Sequence, residues 1–267
     1  MPLHWEEAGA GPPVLLVHAG ICDRTMWDPQ WATFPRAHRT LRCDLRGFGR
    51  SPLPPEPYSP SRDVEAVLDA AGVERAALVG ASFGGLAALE LALARPERVS
   101  ALVLVDALLP DQESAEMEAF DAAEAAALER GDVDAAVELN LRMWVDGRRP
   151  AGSAPPALRE RVAAMQRHAF GLHTAALPEA EAEALVPDAG ARLGELRMPV
   201  LVLAGADDVA DFVVIAERLE RGIPGARAAR IAGAAHLPSL EKPAEFDALV
   251  LPFLAEAAAE TAPAAAG

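Results

Sequence analysis

Six short apolar runs punctuate the chain. They are Val14–Ala19 (VLLVHA), Thr40–Leu45 (TLRCDL), Ala76–Ala81 (AALVGA), Ala101–Ala107 (ALVLVDA), Pro199–Gly205 (PVLVLAG) and Ala226–Gly233 (ARAARIAG). Most are near-continuous rather than alternating, which predicts strands covered on both faces. Stretches with helical spacing lie between several of them, at Pro60–Ala71, Gly85–Ala94 and Ala210–Arg221. Strands alternating with helices predict an α/β fold built on a mostly parallel sheet. The segment LHWEEAG (Leu3–Gly9) predicts an added antiparallel strand at the sheet edge.

The alternation breaks between Pro110 and Leu196. This stretch is rich in Ala, Glu, Asp and Arg, and no part of it reads as a strand. Ser114–Arg130, Val133–Trp144, Ala157–Phe170 and Ala180–Leu193 read as helices, with the loop GRRPAGSAPP (Gly147–Pro156) between two pairs. The expected organisation is therefore a core in two parts, 1–110 and 196–257, with a helical insertion at 111–195 and a flexible, low-complexity tail at 258–267. The chain carries no internal repeat.

Composition narrows the function. With 267 residues, 51% of them hydrophobic, there is enough apolar surface for one large core. No apolar run reaches the ~18 residues of a membrane span. MPLHWEEAGAGPP lacks the features of a secretory leader, so a cytoplasmic protein is expected. A net charge of −16 repels phosphate backbones and anionic lipid, and the densest basic pair, Arg148-Arg149, is too small to reverse that. No nucleic acid and no membrane are expected as partners. Cys22 and Cys43 cannot form a disulfide framework, and neither has a metal-ligand spacing. Neither a metal nor a cofactor is expected.

The chemistry concentrates in VGASFGGLAAL (Val79–Leu89). A strand ending at Ala81 and a helix starting near Gly85 leave almost no room for a turn, so Ser82 must be held in a strained conformation. Gly80 and Gly84 would then allow strand and helix backbones to approach where a Cβ would clash. The hydroxyl would project at the carboxyl end of the sheet, beside a helix N-terminus able to stabilise an oxyanion. A serine nucleophile needs a base, itself oriented by an acid. Of six histidines, only His18 and His236 lie in loops after strands. His236 is the better base, because Leu-Pro and a helix follow it. The run PVLVLAG leads into ADDVADF, offering Asp207, Asp208 and Asp211 as the acid, with Asp106 at the end of ALVLVDA as the rival position.

These pieces resemble the α/β-hydrolase superfamily. VHAG, DLRGFGRSP, VGASFGG, LAGADDVADF and GAAHLPSLEKPAEF occur in that family's order and span nearly the whole chain outside the insertion. The resemblance implies Ser82, Asp208 and His236 as the catalytic set, Asp208 standing three residues after Gly205. It implies Gly20 and Phe83 as amide donors of an oxyanion hole, His18 as a structural residue, and DLRGFGRS as a packing loop rather than a phosphate cradle. It also makes the insertion a substrate-selecting cap. MWDPQ (Met26–Gln30) resembles the subgroup that includes enol-lactonases.

The function expected is hydrolysis of a small-molecule carboxylic ester or lactone through a Ser-His-Asp triad and an acyl-enzyme. C–C bond hydrolysis or perhydrolysis on the same residues competes with it, as does a ligand receptor that has kept the fold. Among Arg142, Arg148, Arg149, Arg159, Arg161 and Arg167, one pairing with a substrate carboxylate is the alternative to solvated helix faces. Trp144 and Phe170 are candidates for a pocket lining or for plain core, and Cys22 for a buried filler.

Overall fold

The computed structural model describes residues 3–109, 114–174 and 181–261. One sheet holds seven strands: β1 (Trp5–Ala8), β2 (Pro13–Val17), β3 (Arg39–Cys43), β4 (Ala76–Ala81), β5 (Val99–Val105), β6 (Val200–Gly205) and β7 (Arg227–Ile231). Their order is β1-β3-β2-β4-β5-β6-β7. Only β1 is antiparallel, pairing with β3. The continuous apolar runs have the predicted cause, since every residue of β4 and of β6 is buried. The edges differ. β1 carries Glu6 and Glu7, and β7 carries Arg227 and Arg230, charges that discourage pairing with another chain.

The register sets the rest of the molecule. Val17 pairs with Gly80, Gly80 with Leu104, Leu104 with Val202, and Val202 with Ala228. One row thus crosses five strands, at or next to the carboxyl ends of β2, β4 and β5 and in the earlier half of β6 and β7. The chain order reverses between β2 and β4, where β3 leaves on one side and β4 on the other. Open α/β sheets form a crevice at such a point.

Helices cover the sheet: α1 (Asp28–Trp31), α2 (Pro60–Ala70), α3 (Phe83–Ala94), α4 (Ala115–Glu129), α5 (Val133–Asn140), α6 (Pro156–Thr174), α7 (Ala210–Gly222), α8 (Pro238–Glu241) and α9 (Pro243–Thr261). Of these, α4, α5 and α6 lie between β5 and β6. Ser114 caps α4, its hydroxyl accepting from the Met117 N–H. Helix α5 runs into a π-helical turn, Leu141–Asp146. None of the helices among the described residues is long and apolar enough to cross a membrane.

Three expectations need correction. The helix expected at Ala180–Leu193 does not form over 181–193, where short 3-10 turns stand instead at Ala189–Ala191 and Leu193–Glu195; its first residue lies outside the described residues. Pro187 interrupts the run, and the backbone bonds elsewhere. Tyr58 N–H donates to Glu181 O, Glu183 N–H to Tyr58 O, and Leu185 N–H to the Glu90 carboxylate. Helix α3 begins at Phe83 rather than near Gly85. Helix α9 continues through Thr261, past the expected start of the tail at 258, because AEAAAE is a strong helix former.

Candidate active site

Ser82 is the single residue between β4 and α3, at φ 50° and ψ −115°. A non-glycine residue in this region costs on the order of 1–3 kcal/mol, so its surroundings must impose it. The Ser82 N–H donates to Val105 O at 2.9 Å, while its carbonyl accepts from Leu86 N–H at 3.0 Å and Leu108 N–H at 3.1 Å. The glycines explain the rest. A Cβ on Gly80 would stand 2.4 Å from Gly84 O, and one on Gly84 would stand 2.4 Å from His18 O. Gly80 therefore admits the helix, and Gly84 admits the end of β2. Gly85 serves a third neighbour, since its Cβ would meet that of Ala107 at 2.7 Å.

His236 follows β7, and Asp208 follows β6. The two meet where the register row leads them, with Nδ1 of His236 2.7 Å from Asp208 Oδ2. Both are buried, Asp208 completely. Its other oxygen accepts from Val209 N–H at 2.8 Å. The hydrogen bond to Asp208 fixes the proton on Nδ1 and leaves Nε2 as the basic nitrogen. Trp144 and Phe212 flank the imidazole, with ring centroids at 4.7 and 4.4 Å. Below it, the Glu241 carboxylate accepts from Ala235 N–H and Leu237 N–H, and Arg149 pairs with Glu241 at 2.6 Å.

Asp106, the rival acid, lies beside this pair. It is 1% exposed, and both its oxygens lie 3.1 Å from Gly205 N. Burial pushes its carboxyl well above the ordinary carboxylate range, and the charge of Asp208 adds to the shift. Ligand-type atoms of Asp106, Asp208 and His236 all lie within 4.8 Å of one another. In this cluster the 2.7 Å contact between His236 Nδ1 and Asp208 Oδ2 is a hydrogen bond.

Ser82, His236 and Gly20 line one cavity of about 310 Å³, roofed by Leu108, Met117, Trp144 and Phe212. Its charged side chains, apart from the imidazole, are Asp121 and Asp211, the latter held by Ser114 Oγ at 2.6 Å. Among the described residues Ser82 Oγ has no hydrogen bond to His236, a contact that commonly tightens only when substrate is bound. Gly20 packs against Phe83, a Cβ on the glycine falling 3.4 Å from that of Phe83. The Phe83 N–H is one of the free donors of the first turn of α3.

The chain is similar to known proteins over nearly its full length. The model of the family described as alpha/beta hydrolase fold matches residues 12–243. The chain belongs to the α/β-hydrolase fold family. It is 35% identical to a putative carbamate hydrolase RutD of Variovorax paradoxus, over 99% of this chain and all of that one. Among solved structures it resembles a thermophilic esterase from Thermogutta terrifontis, with a TM-score of 0.81 at 28% identity, covering 96% of this chain and 93% of that one. It also resembles an N-acyl homoserine lactone degrading enzyme, with a TM-score of 0.73 at 27% identity over 94% and 96% of the two chains.

Within this α/β-hydrolase, the other candidates separate cleanly. His18 is wholly buried, contacts Ala19 O through Nδ1 at 2.8 Å and accepts from Leu45 N–H at Nε2. Burial lowers its pKa, and it acts as a strut. DLRGFGRS also packs. Asp44 accepts from the Arg24 and Arg50 N–H groups, and Phe48 lies against Phe83. Gly49 is required there, because its Cβ would strike the Asp44 carboxylate at 2.4 Å. MWDPQ does not line the cavity. Met26 Sδ instead accepts from Ala19 N–H, bracing the loop that carries Gly20. None of the six insertion arginines lines the cavity. Arg149, Arg159, Arg161 and Arg167 are in ion pairs, and Arg142 and Arg148 donate to backbone carbonyls. Trp144 does line it, whereas Phe170 is core. Asp211 lies in the first turn of α7 and faces the cavity instead of the imidazole. Cys22 and Cys43 are free and buried, and burial drives both thiols far up in pKa. Sequence reasoning missed Phe212 and Glu241. An aromatic next to the Asp208 loop and a glutamate five residues after His236 are the only signals either one gives.

Proposed function

We propose that the chain is a serine hydrolase cleaving the carboxylic ester or lactone of an uncharged small molecule in the cytoplasm. The observation that carries the reading is the strained Ser82 facing the same cavity as an imidazole bound at 2.7 Å to a buried aspartate. In this reading His236 Nε2 takes the Ser82 proton as Oγ attacks the carbonyl carbon. Asp208 holds the imidazole tautomer and stabilises its cation. The Gly20 and Phe83 N–H groups receive the oxyanion, each worth ~3 kcal/mol in the transition state. His236 then protonates the departing alkoxide, and the acyl-enzyme is released by water deprotonated at the same nitrogen. Relatives named as an esterase and a lactone-degrading enzyme support this substrate class.

The cavity lining supports an uncharged substrate. A carboxylate entering it would meet Asp121 and Asp211 and find no cation among the described residues. A substrate N–H or ammonium would be better received. The test is turnover of short p-nitrophenyl esters and simple lactones, each compared with a carboxylate-bearing analogue, by wild type and Ser82→Ala. Loss of roughly 10⁴-fold or more in Ser82→Ala is expected, with neutral substrates preferred. Turnover that survives Ser82→Ala would sink the assignment.

A further inference from the structure

The acid side of the site holds more than a triad requires. Asp106 follows β5 and Asp208 lies in the loop after β6; Asp208 bonds the imidazole, and a carboxylate oxygen of Asp106 lies within 4.8 Å of it. Asp106 is tied to the Asp208 loop through Gly205, the last residue of β6. Its own backbone is also unusual. Asp106 stands at φ 40°, the second non-glycine residue with positive φ beside Ser82 among those described, and its N–H is fixed to Leu203 O at 2.8 Å. Strain of this kind persists where function or surrounding structure requires it. Two buried carboxyls this close cannot both be ionised. Asp208 has the imidazole and the Val209 N–H to hold a charge, so the proton rests on Asp106, whose carboxyl O–H donates to Asp208. The remaining charged group facing Asp106 is Glu241.

We propose that Asp106 is a reserve acid for His236: with Asp208 present it positions the Asp208 carboxylate, and with Asp208 removed its own carboxylate takes over the imidazole. This rests on the serine-hydrolase reading above. Loss of Asp208 removes the like charge, so Asp106 gives up its proton to solvent. An oxygen already within 4.8 Å of the imidazole then accepts the Nδ1 proton.

The experiment is a mutant cycle of Asp106→Asn, Asp208→Asn and the pair together, in the full chain, with Ser82→Ala as control and circular dichroism of each variant. Removing the acid of a Ser-His-Asp triad costs roughly 10⁴-fold where nothing replaces it. Here Asp208→Asn alone is expected to lose only about 10- to 100-fold in kcat/KM, and Asp106→Asn about fivefold. The double variant should fall the full ~10⁴-fold, far beyond the product of the singles. The acid limb of the pH–kcat/KM profile adds a readout that a merely structural role would not move. It should stay near its wild-type position in Asp208→Asn, where a carboxylate still faces His236, and drop to lower pH in the double variant. If Asp208→Asn does not fold, Asp208→Ala and Asp208→Ser take its place in the same cycle. A double variant no worse than Asp208→Asn, or an Asp208→Asn variant already at the double's level, would overturn the reserve role. Turnover surviving Ser82→Ala would instead overturn the parent reading.

Discussion

The cavity above Ser82 has two walls made by different means. The sheet wall is built from backbone: a strained serine, glycines with no room for a Cβ, and N–H groups at the start of α3. The insertion wall is built from side chains: Met117, Asp121 and Trp144, supported by arginine ion pairs such as Arg159 with Asp146 and Glu138. Backbone geometry is shared by every residue that can occupy it, so the sheet wall specifies chemistry and tolerates little change. A side-chain wall can be altered one residue at a time, so it suits the selection of substrates. The neutral-to-acidic lining belongs partly to that second wall.

Substitutions can break this contrast or sharpen it. The largest effect is expected from Gly84→Val. Its Cβ would overlap His18 O at 2.4 Å and Val17 O at 2.7 Å, both backbone atoms that cannot step aside. Destabilisation of at least ~3 kcal/mol or loss of soluble protein is expected by denaturant titration. A well-folded, active Gly84→Val would refute the account of the sheet wall. Next comes Trp144→Ala, which strips one face of His236 and enlarges the cavity. We expect kcat/KM to fall roughly tenfold for small esters, about 1.4 kcal/mol, with a relative gain for bulkier ones. A uniform loss across acyl sizes would deny the insertion wall its selective role.

A smaller effect should appear with pH. The Asp106 carboxyl is raised by burial and by Asp208, so the folded state holds its proton more tightly than the unfolded chain does. Its contribution to stability is present below the ordinary aspartate range and is lost as pH rises through the raised value. Relative to Asp106→Asn, wild type should therefore lose melting temperature as pH increases from about 4. A difference independent of pH would mean that Asp106 is ionised throughout. The smallest effect is expected at Arg167, whose bond to Asp134 lies on an exposed helix face. Arg167→Ala should change stability by less than ~0.5 kcal/mol and leave substrate preference alone.

The same contrast explains what the sequence made legible. All seven strands and the turn at Ser82 were readable, β2, β4, β5 and β6 most directly, because a buried parallel strand must be apolar along its length and a serine held this tightly must have glycines around it. The start of α3 was misplaced because glycine argues against helix locally, while here Gly84 and Gly85 belong to the helix for packing reasons. In the insertion, Ala180–Leu193 carries helical composition, yet its backbone groups pair with Tyr58 and Glu90, partners more than ninety residues away that no local pattern reveals. Asp106 and Asp208 were each visible as an acid after a strand. That both lie within 4.8 Å of one histidine depends on sheet order and register, and so on tertiary structure.

The π-helical turn at Leu141–Asp146 has a consequence of its own. It is a phase shift. A π turn accommodates about one residue more than an α turn, and each residue of an α-helix advances it by roughly 100°. Deleting one residue there would restore ordinary α-helical winding and swing Trp144 away from His236. It would also unseat the Gly147–Arg148 segment, which packs on Asp207 O through Gly147 and donates to it from the Arg148 N–H. The aromatic wall of this cavity thus depends on a single surplus residue, and one codon is enough to rotate it out of place.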